Sequence, residues 1–265
     1  MSHGHNPTES GRSKAGSARL STLMKRASAL AEQGMYEEAI DSIKKAMALS
    51  PRDPRFSLRL ADIYRAQHRM EPAIEAMKNA VELDPLNCAA NEQLLRTLLE
   101  LGRYDEAIST SCKLIQRSPK SIFARDILGI AYLQQGMIDK ALRVTNELIR
   151  IDPTDPAHHF KKGVLLQQKG EVSEAVGAFM RVVEMDPDGD MADDAKEAIA
   201  ALDGYQMQQV LTIAVDDPVF KTKLAIDPES ALAERGFRLS PAGMFTLRRI
   251  DLGELPARPL SRYYH

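Results

Sequence analysis

Few side chains in this 265-residue chain are of a type that does chemistry, and they are scattered. His158 and His159 are adjacent, His3 and His5 stand near the start, and Cys88 and Cys112 are the only cysteines. Neighbouring residues near the start of a helix point to different sides, so His158 and His159 diverge. His3 and His5 could bind a stray metal, but their surroundings read as a disordered tail. Two cysteines make neither a disulfide framework nor a four-ligand zinc site, and they fit a reducing compartment. Asp186, Asp188, Asp190, Asp193 and Asp194 crowd one turn in the manner of a calcium loop. Gly189 is fourth counting from Asp186, whereas an EF-hand loop needs its glycine at the sixth place. These acids are read as favouring the N-terminus of the next helix. No Ser/His/Asp or Cys/His constellation, phosphate-cradling glycine loop or metal-ligand spacing is found. The expectation is therefore a non-enzyme with no catalytic residue, cofactor or metal.

The chain carries 35 basic and 37 acidic residues, a net charge of −2, and no Trp. That balance argues against bulk binding to nucleic acid or to an anionic membrane. Residues 1–19 lack the apolar core of a signal peptide, and no apolar run approaches the ~18 residues of a membrane span. A cytoplasmic protein with no membrane insertion is expected.

The elements that must position any site repeat along the chain. Pro51, Pro85, Pro119, Pro153 and Pro187 stand 34 residues apart, as do Ala39, Ala73, Ala107, Ala141 and Ala175. A period of this size means stacked structural units. Each unit reads as two helices and a turn. In the fourth, Ile127, Leu128, Ile130, Ala131 and Tyr132 give the first helix its apolar spacing, and Gly136 stops it. Gly34, Gly102 and Gly170 occupy the same place, with His68 as the exception, predicted to adopt the turn with strain or to alter it. The second helix carries Ala141, Leu142 and Leu148 and ends at Asp152-Pro153, because proline cannot continue a helix. The alanine column marks where two helices cross too closely for a larger side chain.

These columns resemble the tetratricopeptide repeat (TPR) family over residues 20–187. The match includes a large residue in the first helix (Leu30, Tyr64, Leu98, Tyr132, Leu166) and a small one three places earlier (Ala27, Ala61, Gly129, Gly163). Leu95 replaces the small residue in the third repeat, and Arg26 and Lys162 stand where Leu is usual. The resemblance implies an all-α, right-handed superhelical solenoid whose first helices line a concave groove for a partner peptide or helix. The domains read as a polar disordered tail (1–19), five repeats (20–53, 54–87, 88–121, 122–155 and 156–189), a capping helix (190–203), a helical module (205–252) and an extended tail (253–265).

Carried over from the resemblance, the groove-facing positions early in the array include Arg55, Arg59, Asp62, Arg65 and Arg96. Later ones are Phe123, Ile130, Leu133, Phe160 and Val164. The early half is thus arginine-rich and suited to carboxylates, with Asp62 and Glu92 partly neutralising it. The later half is apolar and asks for a cover, either a partner helix or a segment of this chain. TPR co-chaperones grip a C-terminal carboxylate with Lys and Asn, then Asn, then Lys and Arg; here Met24 and Ser28, then Arg59, then Ala89 and Gln93 stand at those places. That clamp is absent. His159 falls in a column that packs against a neighbour and is read as structural.

Beyond Gly204 the register is lost. Met191, Ala195, Ala198, Ile199 and Leu202 give the capping helix its stripe, and Met207, Val210, Leu211 and Ala214 suggest a separate helix. Asp217-Pro218, Asp227-Pro228 and Ser240-Pro241 each suit the opening of a short helix. The expected core of the module is Phe220, Leu224, Ala231, Leu232, Phe237, Leu239 and Phe245. The run from Asp217 to Ser240 also looks like the helical leader segments of some bacterial ribosomally made peptides. The function read from the sequence is a protein-interaction scaffold, self-association included. The alternative is a substrate or carrier for a modifying enzyme acting through the leader-like segment. If the register is right, Ala107→Glu lowers stability by roughly 3 kcal/mol or more through overpacking and a buried charge. An unchanged melting temperature for that variant would refute the register.

Overall fold

Residues 7–255 are described by the computed structural model of the protein. Ten helices follow the repeat signals: α1 (Pro7–Glu32), α2 (Tyr36–Leu49), α3 (Pro54–Ala66), α4 (Met70–Leu83), α5 (Cys88–Glu100), α6 (Tyr104–Arg117), α7 (Ile122–Gln134), α8 (Ile138–Ile151), α9 (Pro156–Lys169) and α10 (Val172–Met185). Then come α11 (Asp190–Asp216), α12 (Pro218–Ile226), α13 (Pro228–Glu234), α14 (Pro241–Arg248) and a single 3-10 turn, Leu252–Glu254. Among the described residues there is no strand. The fold is the expected all-α TPR solenoid, capped and followed by a cluster of short helices. The chain forms two compact units, Met1–Ile127 and Leu128–His265.

In the first unit α1 packs on α2, α3 on α4 and α5 on α6, and α2 and α4 pack on the helix that follows each. All five alanines of the 34-residue column have no solvent exposure. The second helices end at Ser50, Asp84, Ser118, Asp152 and Asp186, each the residue before a proline. First helices are opened by side-chain caps: Asp53 accepts from the Arg55 amide, Asn87 from Ala90 and Asp155 from Ala157. Each cap satisfies an amide that a helix start leaves unpaired. Leu95, the departure from the small-residue column, is fully buried, so the third repeat fills that space rather than leaving it. In the second unit a Cβ on Gly163 would lie 2.7 Å from Phe179 Cε1, and Phe179 is itself 1% exposed. The small residue there lets α9 and α10 touch.

His68 takes the left-handed turn without being glycine, at φ 58°. Its amide donates to the Arg65 carbonyl at 2.9 Å, and the Arg69 amide donates to Tyr64 at 2.9 Å. Gly136 and Met137 make the same two bonds, to Leu133 at 2.9 Å and Tyr132 at 2.8 Å. The turn is therefore unaltered, and His68 carries the steric cost of a Cβ in that region.

Three expectations are corrected. Residues 7–19 are helical rather than part of a tail; residues 16–19 are exposed, so the helix extends there by propagation from the packed turns that follow. The capping helix does not stop at Gly204 but continues to Asp216. Its buried stripe runs unbroken through Ala195, Ile199, Leu202, Gln206, Val210 and Ala214. No neighbour lies within 4 Å of where a Gly204 Cβ would be, so this glycine only weakens the helix slightly. Phe245 is 62% exposed and lies outside the module's core, where Leu247 is buried instead. Phe220, Leu224, Ala231, Leu232 and Leu239 are buried with Val210 and Ala214, and Phe237 packs against them.

The module is fixed to α10 and α11 by polar side chains. The amide of Gln206, 1% exposed, clasps one residue of the loop before α14. Its Nε2 donates to the Arg238 carbonyl at 2.8 Å, and its Oε1 accepts from the Arg238 amide at 2.9 Å. Asp203 accepts from the Ser240 amide at 2.9 Å and from the Ser240 hydroxyl. Ser240 in turn caps α14 by accepting from the Gly243 amide at 3.2 Å. From α10, the Ser173 hydroxyl donates to the Gly236 carbonyl at 2.5 Å. A Cβ on Gly177 would lie 2.9 Å from Arg238 Nη1, so the missing side chain leaves room for that guanidinium.

Two outcomes are expected. His68→Gly raises stability by about 1 kcal/mol, because the same turn bonds remain and the left-handed penalty disappears; an unchanged or lower melting temperature would refute this. Gln206→Ala lowers stability by about 1–3 kcal/mol, since it strands the Arg238 backbone groups. It also speeds hydrogen exchange at the Arg238 amide. Unaltered exchange there would mean that the clasp does not hold the loop.

Candidate functional site

In the first unit the expected arginines lie on the first helices, but most are engaged by acids of this chain. Arg55 forks onto Asp53, with Nε 2.9 Å from Oδ1 and Nη2 2.7 Å from Oδ2. That fork is the main reason the Asp53 carboxyl is held below the usual carboxylate range. Arg59 donates to the Ser28 hydroxyl at 2.8 Å and stands 3.7 Å from an Asp62 carboxylate oxygen. Asp62 also accepts from Gln93 Nε2 at 3.2 Å. Ser28, Arg59, Asp62 and Gln93 thus form a polar chain across α1, α3 and α5, the first helices of three successive repeats. Arg96 pairs with Glu92 at 2.8 Å and lies 5.9 Å from the Phe123 ring centroid. Arg65 stands on the same helix as Arg59, partly buried.

The second unit differs. Ile130 is 43% exposed in the middle of α7. Leu133, Phe160 and Val164 are partly buried against the core that includes Leu165, Leu166, Val176 and Phe179. The Phe160 ring meets Phe179 edge-on at 5.4 Å. Leu133, Phe160 and Val164 are therefore anchored in the core on one side, whereas Ile130 stands exposed. The C-terminal module takes its hydrogen bonds from α10 and α11.

His159, expected to be the packed histidine, is the more open of the two. His158 is the packed one, 1% exposed, with neither ring nitrogen hydrogen-bonded. His159 is half-buried and shares a cleft of about 530 Å³ with Lys162, Arg181 and Arg238. Burial first, and then the positive charges of Arg181 and Lys162, push its imidazole below the ordinary histidine range. Among the described residues one set of potential metal ligands converges: Asp152, Asp155 and His158, with ligand atoms within 4.8 Å of one another. The sequence holds the signal as Asp-x-x-Asp-x-x-His across the inter-repeat turn, but the turn prolines and caps supply an ordinary reason for those acids. Cys88 and Cys112 are free, one exposed and one half-buried. His3 and His5 lie outside the described residues. Among the described residues no helix is long and apolar enough to cross a membrane.

Comparison with known proteins places this geometry. Solved structures with a similar fold include residues 41 to the end of MamA from Desulfovibrio magneticus RS-1, at 19% identity and a TM-score of 0.51, covering 65% of this chain and 97% of that one. Another MamA structure is 24% identical with a TM-score of 0.52, covering 64% of this chain and 92% of that one. YrrB, described as a TPR protein with an unusual peptide-binding site, is 19% identical with a TM-score of 0.51, covering 66% of this chain and 90% of that one. At these identities the likeness is one of fold. No curated protein matches the chain. The description "Tetratricopeptide repeat" matches three stretches, residues 30–90, 73–122 and 128–200. The matched stretches, residues 30–122 and 128–200, are tetratricopeptide repeats.

Proposed function

We propose that this protein is a noncatalytic interaction scaffold that takes the apolar side of a partner peptide or helix on the first-helix face of its second unit. The observation that supports this is the two-faced character of α7 and α9. The second helices beside them bury one stripe and turn charge or amide to water, as Arg143, Asn146 and Arg150 do on α8. On α9, Leu165 and Leu166 are buried while Phe160 and Val164, around the helix from Leu165, keep part of their surface. Ile130 occupies the position of Val164 one repeat earlier and is the most exposed of the set. A peptide or amphipathic helix laid on such a face gains burial from anchors already ordered by the core. The peptide-binding site in the description of YrrB, which shares the fold, is consistent with this use.

The arginines of the first unit contribute less in this reading. A partner carboxylate must displace Asp53, Asp62 or Glu92, and exposed pairs of this kind are worth only about 0–1 kcal/mol. The leader-like alternative requires the segment from Asp217 to Ser240 to be presented to an enzyme, whereas Phe220, Leu224, Leu232 and Leu239 are buried in the module's core.

The test is to select peptides on the full chain from a displayed library and to measure their affinity by calorimetry. Ile130→Glu is expected to weaken the selected peptides at least tenfold, equivalent to about 1.4 kcal/mol, with the melting temperature unchanged. Phe245→Glu, which alters an exposed aromatic elsewhere in the second unit, leaves them unaffected. Equal affinity for the wild type and Ile130→Glu would overturn the assignment of this face.

A further inference from the structure

The turn that joins the fourth and fifth repeats carries more polar order than ending one helix and starting another requires. Asp152 ends α8 and Asp155 caps α9, with His158 one turn into that helix. Pro153 and Pro156 restrict the backbone between them. Asp152 Oδ1 accepts from the Thr154 amide at 3.1 Å and from its hydroxyl at 2.8 Å. Asp155 Oδ1 accepts from the Ala157 amide at 2.8 Å. Both carboxylates are thus oriented by their own turn.

His158 completes the set. Its side chain is 2% exposed, and its Nε2 stands 3.6 Å from Asp155 Oδ2. Both ring nitrogens are buried without a hydrogen bond. The separation is too long for a hydrogen bond. It matches two donors sharing one ion: on a tetrahedral ion bound at about 2.1 Å, donor atoms stand about 3.4 Å apart. The ligand atoms of all three residues lie within 4.8 Å of one another, so a side-chain movement of up to about 1.4 Å brings Asp152 into the same shell. An imidazole with two carboxylates suits borderline divalent ions. The Asp155 side chain is 40% exposed, which leaves the outer side of the site open to water as further ligand.

We propose that Asp152, Asp155 and His158 form a binding site for a divalent transition-metal ion of the zinc class, which clamps the end of α8 to the start of α9. The ion satisfies the buried imidazole at Nε2 and balances two carboxylates held in one turn. Its effect is structural: it binds the folded turn and not the unfolded chain, so it raises resistance to unfolding.

The experiment uses the full chain carrying His3→Ala and His5→Ala, so that no other histidine pair competes. Zinc binding is measured by equilibrium dialysis and by the shift in melting temperature. One equivalent of zinc and a raised melting temperature are expected. Asp152→Asn with Asp155→Asn keeps both side-chain caps, since asparagine also accepts through Oδ1, and is expected to weaken zinc at least tenfold without unfolding the protein. With cobalt as probe, ligand-field bands without thiolate-to-metal charge transfer are expected, which distinguishes this site from Cys88 and Cys112. Absence of stoichiometric binding, equal binding by the asparagine double variant, or a thiolate charge-transfer band would each overturn the proposal.

Discussion

Each repeat depends on two helices crossing at a distance only a small side chain allows. Ala39, Ala73, Ala107, Ala141 and Ala175 have no exposed surface, and Gly163 lies where a single added carbon would enter the Phe179 ring. Overpacking at such a contact costs typically about 1–3 kcal/mol, because a close-packed interior has nowhere to put the extra volume. The crossing fixes which residues face the neighbouring helix and which face away. The chain can therefore vary its outward residues between copies without disturbing the array. That freedom lets α3 carry Arg55 and Arg59 while α9 carries Phe160 and Val164 on one shared backbone plan.

The two units use that freedom differently. The first spends its outward positions on a polar chain of Ser28, Arg59, Asp62 and Gln93, whose members already satisfy one another. A partner gains little from charges that must first be separated from their own chain. The second leaves apolar surface that is half anchored, and burial of apolar area is worth about 25 cal/mol per Å² with no competing partner to remove. Those magnitudes are the reason we propose recognition on the second unit.

Much of this architecture was legible from residues whose job is conformational. The prolines stop helices, Gly136 and Gly170 close turns, and the alanines permit crossing; each acts through local geometry that sequence spacing reports directly. His68 stands out in the glycine column, but the sequence leaves open whether it is strained or alters the turn, and the structure shows the first. What escaped was set by tertiary context. The continuous stripe of α11 was hidden because Gln206 is buried yet polar, and Gly204 looked like a stop. Phe245 reads as core by type, yet Gly243 and Leu247 face inward one turn apart and leave it outside. His158 and His159 differ by one residue, and only the packing decides which of them loses water.

The C-terminal end answers a problem that repeats create. A last repeat has an apolar face with no successor, here Val176, Phe179 and Val182 on α10, and α11 covers it with Ala195, Ile199 and Leu202. A helix of 27 residues then runs past the repeat and needs a cover of its own. The three short helices supply one, but they are too small to choose their position by burial alone. Non-directional packing would tolerate several placements of such a cluster. The Gln206 clasp does not: an amide that must meet both the carbonyl and the amide of Arg238 accepts one register of the loop. Asp203 accepts one position of Ser240, and a side chain at residue 243 would collide with that carboxylate. Buried polar groups are costly when unpaired, so each alternative placement is penalised by the groups it strands. Hydrophobic burial holds the module to the array, and three hydrogen-bonded side chains decide where.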